Sequence, residues 1–250
     1  MTEVFNILFY QPLYNALVFL VSILPGASLG FAVIFLTLFV KIILFPLSHK
    51  SVSTQAKIRT LDPHIKKIRE ETKDNKQEQA KKTMELYREH GVNPFSGCLL
   101  LIVQLPIIFA LYWVFFKGIE SNPQLLYSFV VFPDNINTLF LGLIEMHGKS
   151  ISLALIAGIT QFYQIKLSMP PLQTEPSGTT RSFKDELAKS MSVQMRYVMP
   201  VLVAFIAYTI SSAVALYWIT SNVFSIGHEL FVRRKAKQLL TADTGAKTSV

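Results

Sequence analysis

Lys41 lies inside the apolar stretch LTLFVKIILFPL (36–47), and its chemistry needs explaining before anything else in the chain. An ionisable group near the centre of a bilayer costs at least about 2.5–3.5 kcal/mol, so such a residue marks a functional site by default. Thr37 lies one turn before it and Ser48 two turns after, and at 100° per residue the three fall within about 40° of arc, giving this segment one polar face. Three other apolar stretches carry comparable groups. Trp218, Ser221, Asn222 and Ser225 recur at i, i+3, i+4 and i+7; Gln161 and Gln164 lie one turn apart; and Gln104 stands just before Pro106. These groups can donate, accept and attract charge. They are suited to solvating a polar guest, not to making or breaking a covalent bond.

The rest of the chemistry-bearing inventory is sparse. No apolar stretch has an Asp or Glu in its middle, so a proton relay or an intramembrane cation site lacks its usual ligands. His228-Glu229 opens a resemblance to the H-E-x-x-H zinc motif, but position 232 is Val, and the dipeptide reads as a chance one. There is no phosphate-cradling Gly-rich loop and no G-x-S-x-G. The single cysteine, Cys98, allows neither a disulfide framework nor a Cys-rich metal site and reads as a small apolar residue. No catalytic residue, cofactor or metal is expected, and the chain is read as a non-enzyme. Two plainer readings of the polar groups stay open. Lys41, about 10 Å of helix rise from the inner end of its segment, could snorkel to the interface. The amides and hydroxyls could serve only as interhelical glue, each bond being worth about 0.6–2 kcal/mol. Four helices that each offer a polar face would, alternatively, enclose a wet cavity.

The elements that must position these residues follow from composition. With 250 residues, 51% of them hydrophobic, and a mean hydropathy of +0.39, the chain is too apolar for an ordinary soluble domain. Five runs, Phe31–Leu47, Cys98–Phe116, Ile151–Ile165, Tyr197–Ile210 and Ala213–Val232, approach the roughly 17–25 residues of a bilayer span. Lipid obliges them to be helical, because backbone polar groups there find no other partners. Of 24 Lys and Arg residues, 21 fall in 49–96, 166–197 and the tail from 229. The positive-inside bias therefore places those three stretches in the cytoplasm and 117–149 outside. The organisation expected is an N-terminal helix (1–28), a first core span (29–49), a cytoplasmic helical hairpin (50–93), four further spans (94–232) and a basic tail (233–250). Within 94–232, 118–148 is an external loop and 169–195 a cytoplasmic one. The fold class is all-α and polytopic, a five-helix transmembrane bundle with a cytoplasmic hairpin.

Residues 4–24 could span as a sixth helix, but Gln11, Asn15 and Ser22 share roughly one face, which favours an amphipathic helix in the outer interface. Pro25 and Gly26 end it in either case. In the hairpin, Ile58, Leu61, Ile65 and Ile68 recur at helical spacing. A break at Lys73-Asp74-Asn75-Lys76 then precedes a second run through Met84, Leu86 and Tyr87 to Gly91. The hairpin is either two helices that cover each other or a docking arm. The basic cluster Arg233-Arg234-Lys235-Ala236-Lys237 would anchor to anionic lipid or meet ribosomal RNA. Pro170 to Thr180 reads as a mobile cytoplasmic loop. The N-terminus lacks the marks of a cleaved signal or transit peptide, and a bacterial plasma-membrane location is expected.

Three ordered stretches resemble the YidC family of membrane-protein insertases, with its mitochondrial Oxa and chloroplast Albino relatives. They are LTLFVKIILFPLSHKS (36–51), YREHGVNPFSGCLLLIVQLPIIFALYW (87–113), and the pair MRYVMPVLVAF (195–205) with SSAVALYWITSNVFSI (211–226). The resemblance implies a hydrophilic groove in the inner leaflet, open to cytoplasm and lipid and closed outside. Lys41 would be the groove's cation, where many members carry Arg. Thr37 and Trp218 would touch the passing substrate, and Gln161 or Gln164 would add a polar wall, with Gln104 and Asn222 on the neighbouring polar faces. It further implies nascent membrane proteins, the ribosome, membrane lipids and the Sec translocon as partners, and no DNA. The layout is a minimal one, without a large external domain or a lipid-modified N-terminal cysteine. A small-solute or ion transporter or channel is the competing function. A chaperone that only packs against inserted helices is a third.

Overall fold

The described residues are mostly helical, because both the lipid-length apolar runs and the charge-rich middle favour backbone bonds made within one segment. A computed structural model describes residues 3–72, 75–93, 96–117, 119, 123–169, 190 and 192–247, without the side chains of residues 69, 76, 96–101 and 235–247. Among the described residues the helices are α1 (Glu3–Ile23), α2 (Leu29–Ile43), α3 (Phe45–Thr60), α4 (Asp62–Glu71), α5 (Lys76–Glu89), α6 (Ser96–Lys117), α7 (Ile151–Ser168), α8 (Gln194–Ile210) and α9 (Ser212–Lys247). One small hairpin pairs β1 (Leu139–Phe140) antiparallel with β2 (Ile144–Glu145). The chain forms two compact units, 1–43 with 104–226 and 44–103 with 227–250.

The first unit is built from helices with one buried stripe and one exposed apolar stripe. In α1 the buried residues Tyr10, Tyr14, Leu17, Val18 and Val21 follow a 4-3-1-3 spacing. In α2 Leu29, Ala32, Val33, Leu36 and Val40 follow a 3-1-3-4 spacing, and the two helices pack together. The opposite side of α2 leaves Phe31, Phe35, Phe39, Ile42 and Ile43 exposed, and α7 leaves Leu155, Ile156 and Ile159 exposed. Apolar surface on that scale suits a lipid environment, since soluble monomers rarely expose large contiguous patches of it. α7 and α8 approach closely at Gly158, where a Cβ would meet Ala204 Cβ at 3.0 Å and Pro200 O at 3.1 Å.

All five predicted spans are helices, with shifted ends. The run 31–47 divides at Leu44, because Pro46 near the start of α3 lacks the N–H that a continuing helix would use. The helix over 151–165 continues to Ser168 and includes Lys166, and the last helix continues through the basic tail to Lys247. By length and apolarity together, Glu3–Ile23 is the one continuous described helix that reaches a full span. Asn15 and Gln11 are turned into the protein, whereas Ser22 is exposed. Asn15 donates to Leu125 O at 2.8 Å and accepts from Tyr127 N at 2.7 Å, while Gln11 donates to Leu125 O at 3.1 Å. After Ile23 the chain turns at Pro25–Ala27, where Gly26 takes φ +71°.

In the second unit α4 and α5 pack as the expected hairpin, around Leu61, Ile65 and Val92 with Ile58, Leu86 and Tyr87. The first hairpin run is two helices rather than one, with a break at Leu61 ahead of Pro63. Asn75 caps α5 by accepting from Glu78 N at 3.1 Å. Residues 73–74, Pro94 and the loop 170–180 lie outside the described residues, as does the side chain of Cys98.

The loop between α6 and α7 is seated on α2 through a glycine. At Gly30 a Cβ would lie 2.8 Å from Phe140 Cβ and closer still to its ring. Gly30→Ala should therefore lower stability by about 1–3 kcal/mol, read as denaturant unfolding in detergent micelles. Combining it with Phe140→Ala should cost less than the two single changes added together. A Gly30→Ala protein that unfolds at the wild-type midpoint would contradict this packing.

Candidate functional site

The polar groups of the first unit converge on α9. Its residues 217, 221 and 225 repeat every four positions and so share a face, and its side chains reach three different helices. Gln104 of α6 donates to Tyr217 Oη at 2.7 Å. Asn222 donates to Thr160 Oγ1 of α7 at 3.2 Å, and Thr160 in turn donates to Ala157 O at 3.0 Å. Ser225 donates to Ser221 O at 2.8 Å, which leaves its oxygen free to accept from Lys41 Nζ of α2 at 3.5 Å. Ser221 and Asn222 are buried, whereas Lys41, Gln104, Trp218 and Ser225 are partly exposed.

The Lys41 contact is long, near the limit of a hydrogen bond, and an ammonium has three protons to donate. No carboxylate pairs with Lys41 among the described residues. The cation therefore keeps most of its charge and donor capacity for another group. The sequence-predicted residues are thus gathered only in part. Lys41, Gln104 and Asn222 meet α9 directly. Trp218 sits on α9 beside Tyr217, with ring centroids 6.4 Å apart. Thr37 is buried and donates to Val33 O in its own helix at 2.6 Å, an arrangement that satisfies the hydroxyl locally. Gln161 donates to Gln164 at 3.5 Å and Gln164 to Ser168 at 3.1 Å, so this pair forms a ladder along α7.

The loop before α7 is bonded to the starts of α9 and α2. Ser212 N and Ser212 Oγ both donate to Gly148 O, at 2.8 and 3.0 Å, and Ala213 N donates to Met146 O at 3.0 Å. These bonds occupy the donors that every helix leaves unsatisfied at its N-terminus. Leu29 N donates to Asn137 O at 3.0 Å, and Asn137 N to Ala27 O at 3.1 Å, which ties the same loop to the start of α2. Ser211 alone separates α8 from α9.

Sequence reasoning passed over a second polar cluster, in the other unit. His228 and Glu229 are both buried. His228 Nε2 lies 3.1 Å from His49 Nδ1, and Phe45 stacks on His49 and meets His228 at a tilt. Glu229 accepts from Arg233 at 2.9 Å and pairs with Arg59 at 3.7 Å. Burial lowers the pKa of the Arg59 guanidinium, and the Glu229 and Asp62 carboxylates oppose that shift. Phe45, His49, Ala56 and Arg59 fall within about 80° of arc on α3 at 100° per residue, so a side-by-side seam with residues 228–233 of α9 was implicit in their spacing. No group of three or more His, Cys, Asp or Glu residues able to hold a metal occurs among the described residues, so the seam is an ion and hydrogen-bond junction.

Breaking one partner of a buried ion pair strands the other. Arg59→Met and Glu229→Gln should each destabilise the protein, and the double variant should recover roughly 0.5–3 kcal/mol relative to the sum, measured by unfolding in micelles. Strict additivity would remove this junction from the account.

Known proteins share this pattern over most of the chain. The family model described as 60Kd inner membrane protein matches residues 19–239. Proteins named membrane protein insertase YidC from Francisella tularensis subsp. novicida (strain U112), subsp. holarctica (strain LVS) and subsp. tularensis (strain SCHU S4) are each 34% identical over 205 residues. Each match covers 82% of this chain and 32% of the relative, so the chain spans about a third of the length of these curated relatives.

Proposed function

The chain belongs to the 60Kd inner membrane protein family, the YidC-type insertases, and we propose that it inserts newly made membrane proteins and helps them fold. The family is one of inner-membrane insertases and not a known class of enzyme, in keeping with a site that binds and solvates. The observation that carries the proposal is Lys41, a cation with a hydroxyl partner and no carboxylate among the described residues. It stands on the same helix cluster as Gln104, Tyr217, Asn222 and Ser225.

The mechanism follows from desolvation. A polar loop crossing hydrocarbon loses several kcal/mol for each hydrogen-bonding group left without a partner. Amides, hydroxyls and an ammonium that line part of the path replace the lost water. An acidic residue on the moving segment is attracted to Lys41 by about 4 kcal/mol at 4 Å and an effective dielectric near 20. That attraction is enough to draw the segment in and small enough to release it. The loop 137–148 closes the far end, so the segment leaves sideways into lipid. The ladder of Gln161 and Gln164 and the indole of Trp218 extend the polar wall, and Thr37 lines the cation's helix.

The proposed topology puts the hairpin, the loop 169–195 and the C-terminus in the cytoplasm, with 118–148 outside. α1 is long enough to span, but Asn15 at its middle bonds Leu125 and Tyr127 of the external stretch, which favours a helix lying in the outer interface. The ribosome is the partner suited to the basic residues from Arg233 onward, and the Sec translocon and membrane lipids complete the set. A transporter or channel is the weaker reading, because the spans carry no central carboxylate.

In vesicles reconstituted with purified protein, Lys41→Ala should slow insertion of a substrate whose translocated tail carries acidic residues, while Lys41→Arg should retain it. A substrate with a neutral tail should be affected less. Equal insertion by all three proteins would remove the charge-attraction step.

A further inference from the structure

We propose that the tip of the β1–β2 hairpin, Leu139 to Leu143, is a lipid-interface anchor that enters the leaflet beside the first turn of α2. Leu139, Leu141 and Leu143 are 48%, 65% and 84% exposed, an apolar tip with no charged residue among its five positions. The turn adds to the case. Leu141 and Gly142 both adopt positive φ, +54° and +70°, a geometry in which Asn, Asp or Gly is the favoured residue. A leucine there bears both backbone strain and exposure to water, and a polar residue would relieve both. Lipid contact removes the second cost.

The hairpin's seat also names what covers it. Phe140, between the exposed leucines, is buried against Gly30 and meets Phe31 edge to face at 5.3 Å. Phe31 begins the exposed stripe Phe31, Phe35 and Phe39, which faces acyl chains if α2 spans. The tip therefore continues a lipid-facing surface. Its root is polar: Thr138 donates to Glu145 at 2.9 Å, His147 N donates to Glu145 at 3.3 Å, and Asn137 bonds the chain ahead of α2. An apolar tip on a polar root matches the gradient of a membrane interface. The inference rests on the membrane-spanning reading above, and it adds a contact that would hold the loop closing the site at a fixed depth.

The test uses the full chain with Cys98→Ser, carrying one new cysteine at a time, labelled with an environment-sensitive fluorophore in phosphatidylethanolamine–phosphatidylglycerol vesicles. Leu143→Cys is the probe, Phe35→Cys the control within α2 and His147→Cys the control at the polar root. Label at 143 should show blue-shifted emission and severalfold stronger quenching by headgroup-proximal spin-labelled lipid than by aqueous iodide, as at 35 and opposite to 147. If 35 is quenched by lipid while 143 is quenched by iodide, the anchor is refuted and the spanning reading stands. If neither quencher reaches 143, protein covers the tip and the lipid assignment is likewise overturned. If iodide quenches 35 as well, the spanning reading falls and takes the anchor with it.

Discussion

A charge or a polar group has nowhere to hide in hydrocarbon, and this constraint organises the first unit of the protein. Among the described residues, polar side chains in its apolar helices find partners within their own helix, as Thr37 does in Val33 O, or on another helix, as Asn222 does in Thr160. Lys41 is compensated less fully. Its one bond, to Ser225 at 3.5 Å, is too long and too weak to neutralise an ammonium. A group that is only partly compensated remains available to a guest.

α9 is the element on which both polar systems are written. Its first half presents Tyr217, Asn222 and Ser225 to α6, α7 and α2, so that one helix cross-links three. Beyond Gly227 the same helix carries His228, Glu229 and Arg233, which join it to α3 within the second unit. Such interhelical bonds in lipid are individually modest, at about 0.6–2 kcal/mol. Their worth lies in fixing which face of a helix is turned where.

The sequence made part of this legible. Apolar run length gave the helices, since only helices satisfy the backbone in lipid. Periodicity placed Lys41 and Asn222 on polar faces, and Gln104 stood out as a lone amide within an apolar run. Prolines explain the missed breaks at Leu44 and Leu61, where a pattern continuous in hydrophobicity is interrupted in backbone hydrogen bonding. Pairing between distant segments was not legible. His49 meets His228 across 179 residues and Arg59 meets Glu229 across a similar interval, and no local pattern encodes a partner that far along the chain. The same holds for Asn15, whose place on an apparent polar stripe suggested water and whose bonds instead run to Leu125 and Tyr127. A short sequence window registers polarity, whereas the partner that satisfies it is a property of the packed chain.

The proposed function requires water to reach the surroundings of Lys41 from one side of the membrane. The direct measurement is the rate at which a charged, membrane-impermeant thiol reagent modifies Ser225→Cys in a Cys98→Ser chain, in vesicles that expose the cytoplasmic face, compared with Phe39→Cys on the exposed apolar stripe of α2. Rapid modification at 225 and none at 39 is the predicted result. Protection of 225 equal to that of 39 would mean that the ammonium sits in a dry, sealed contact, and the proposed path for polar segments would not exist.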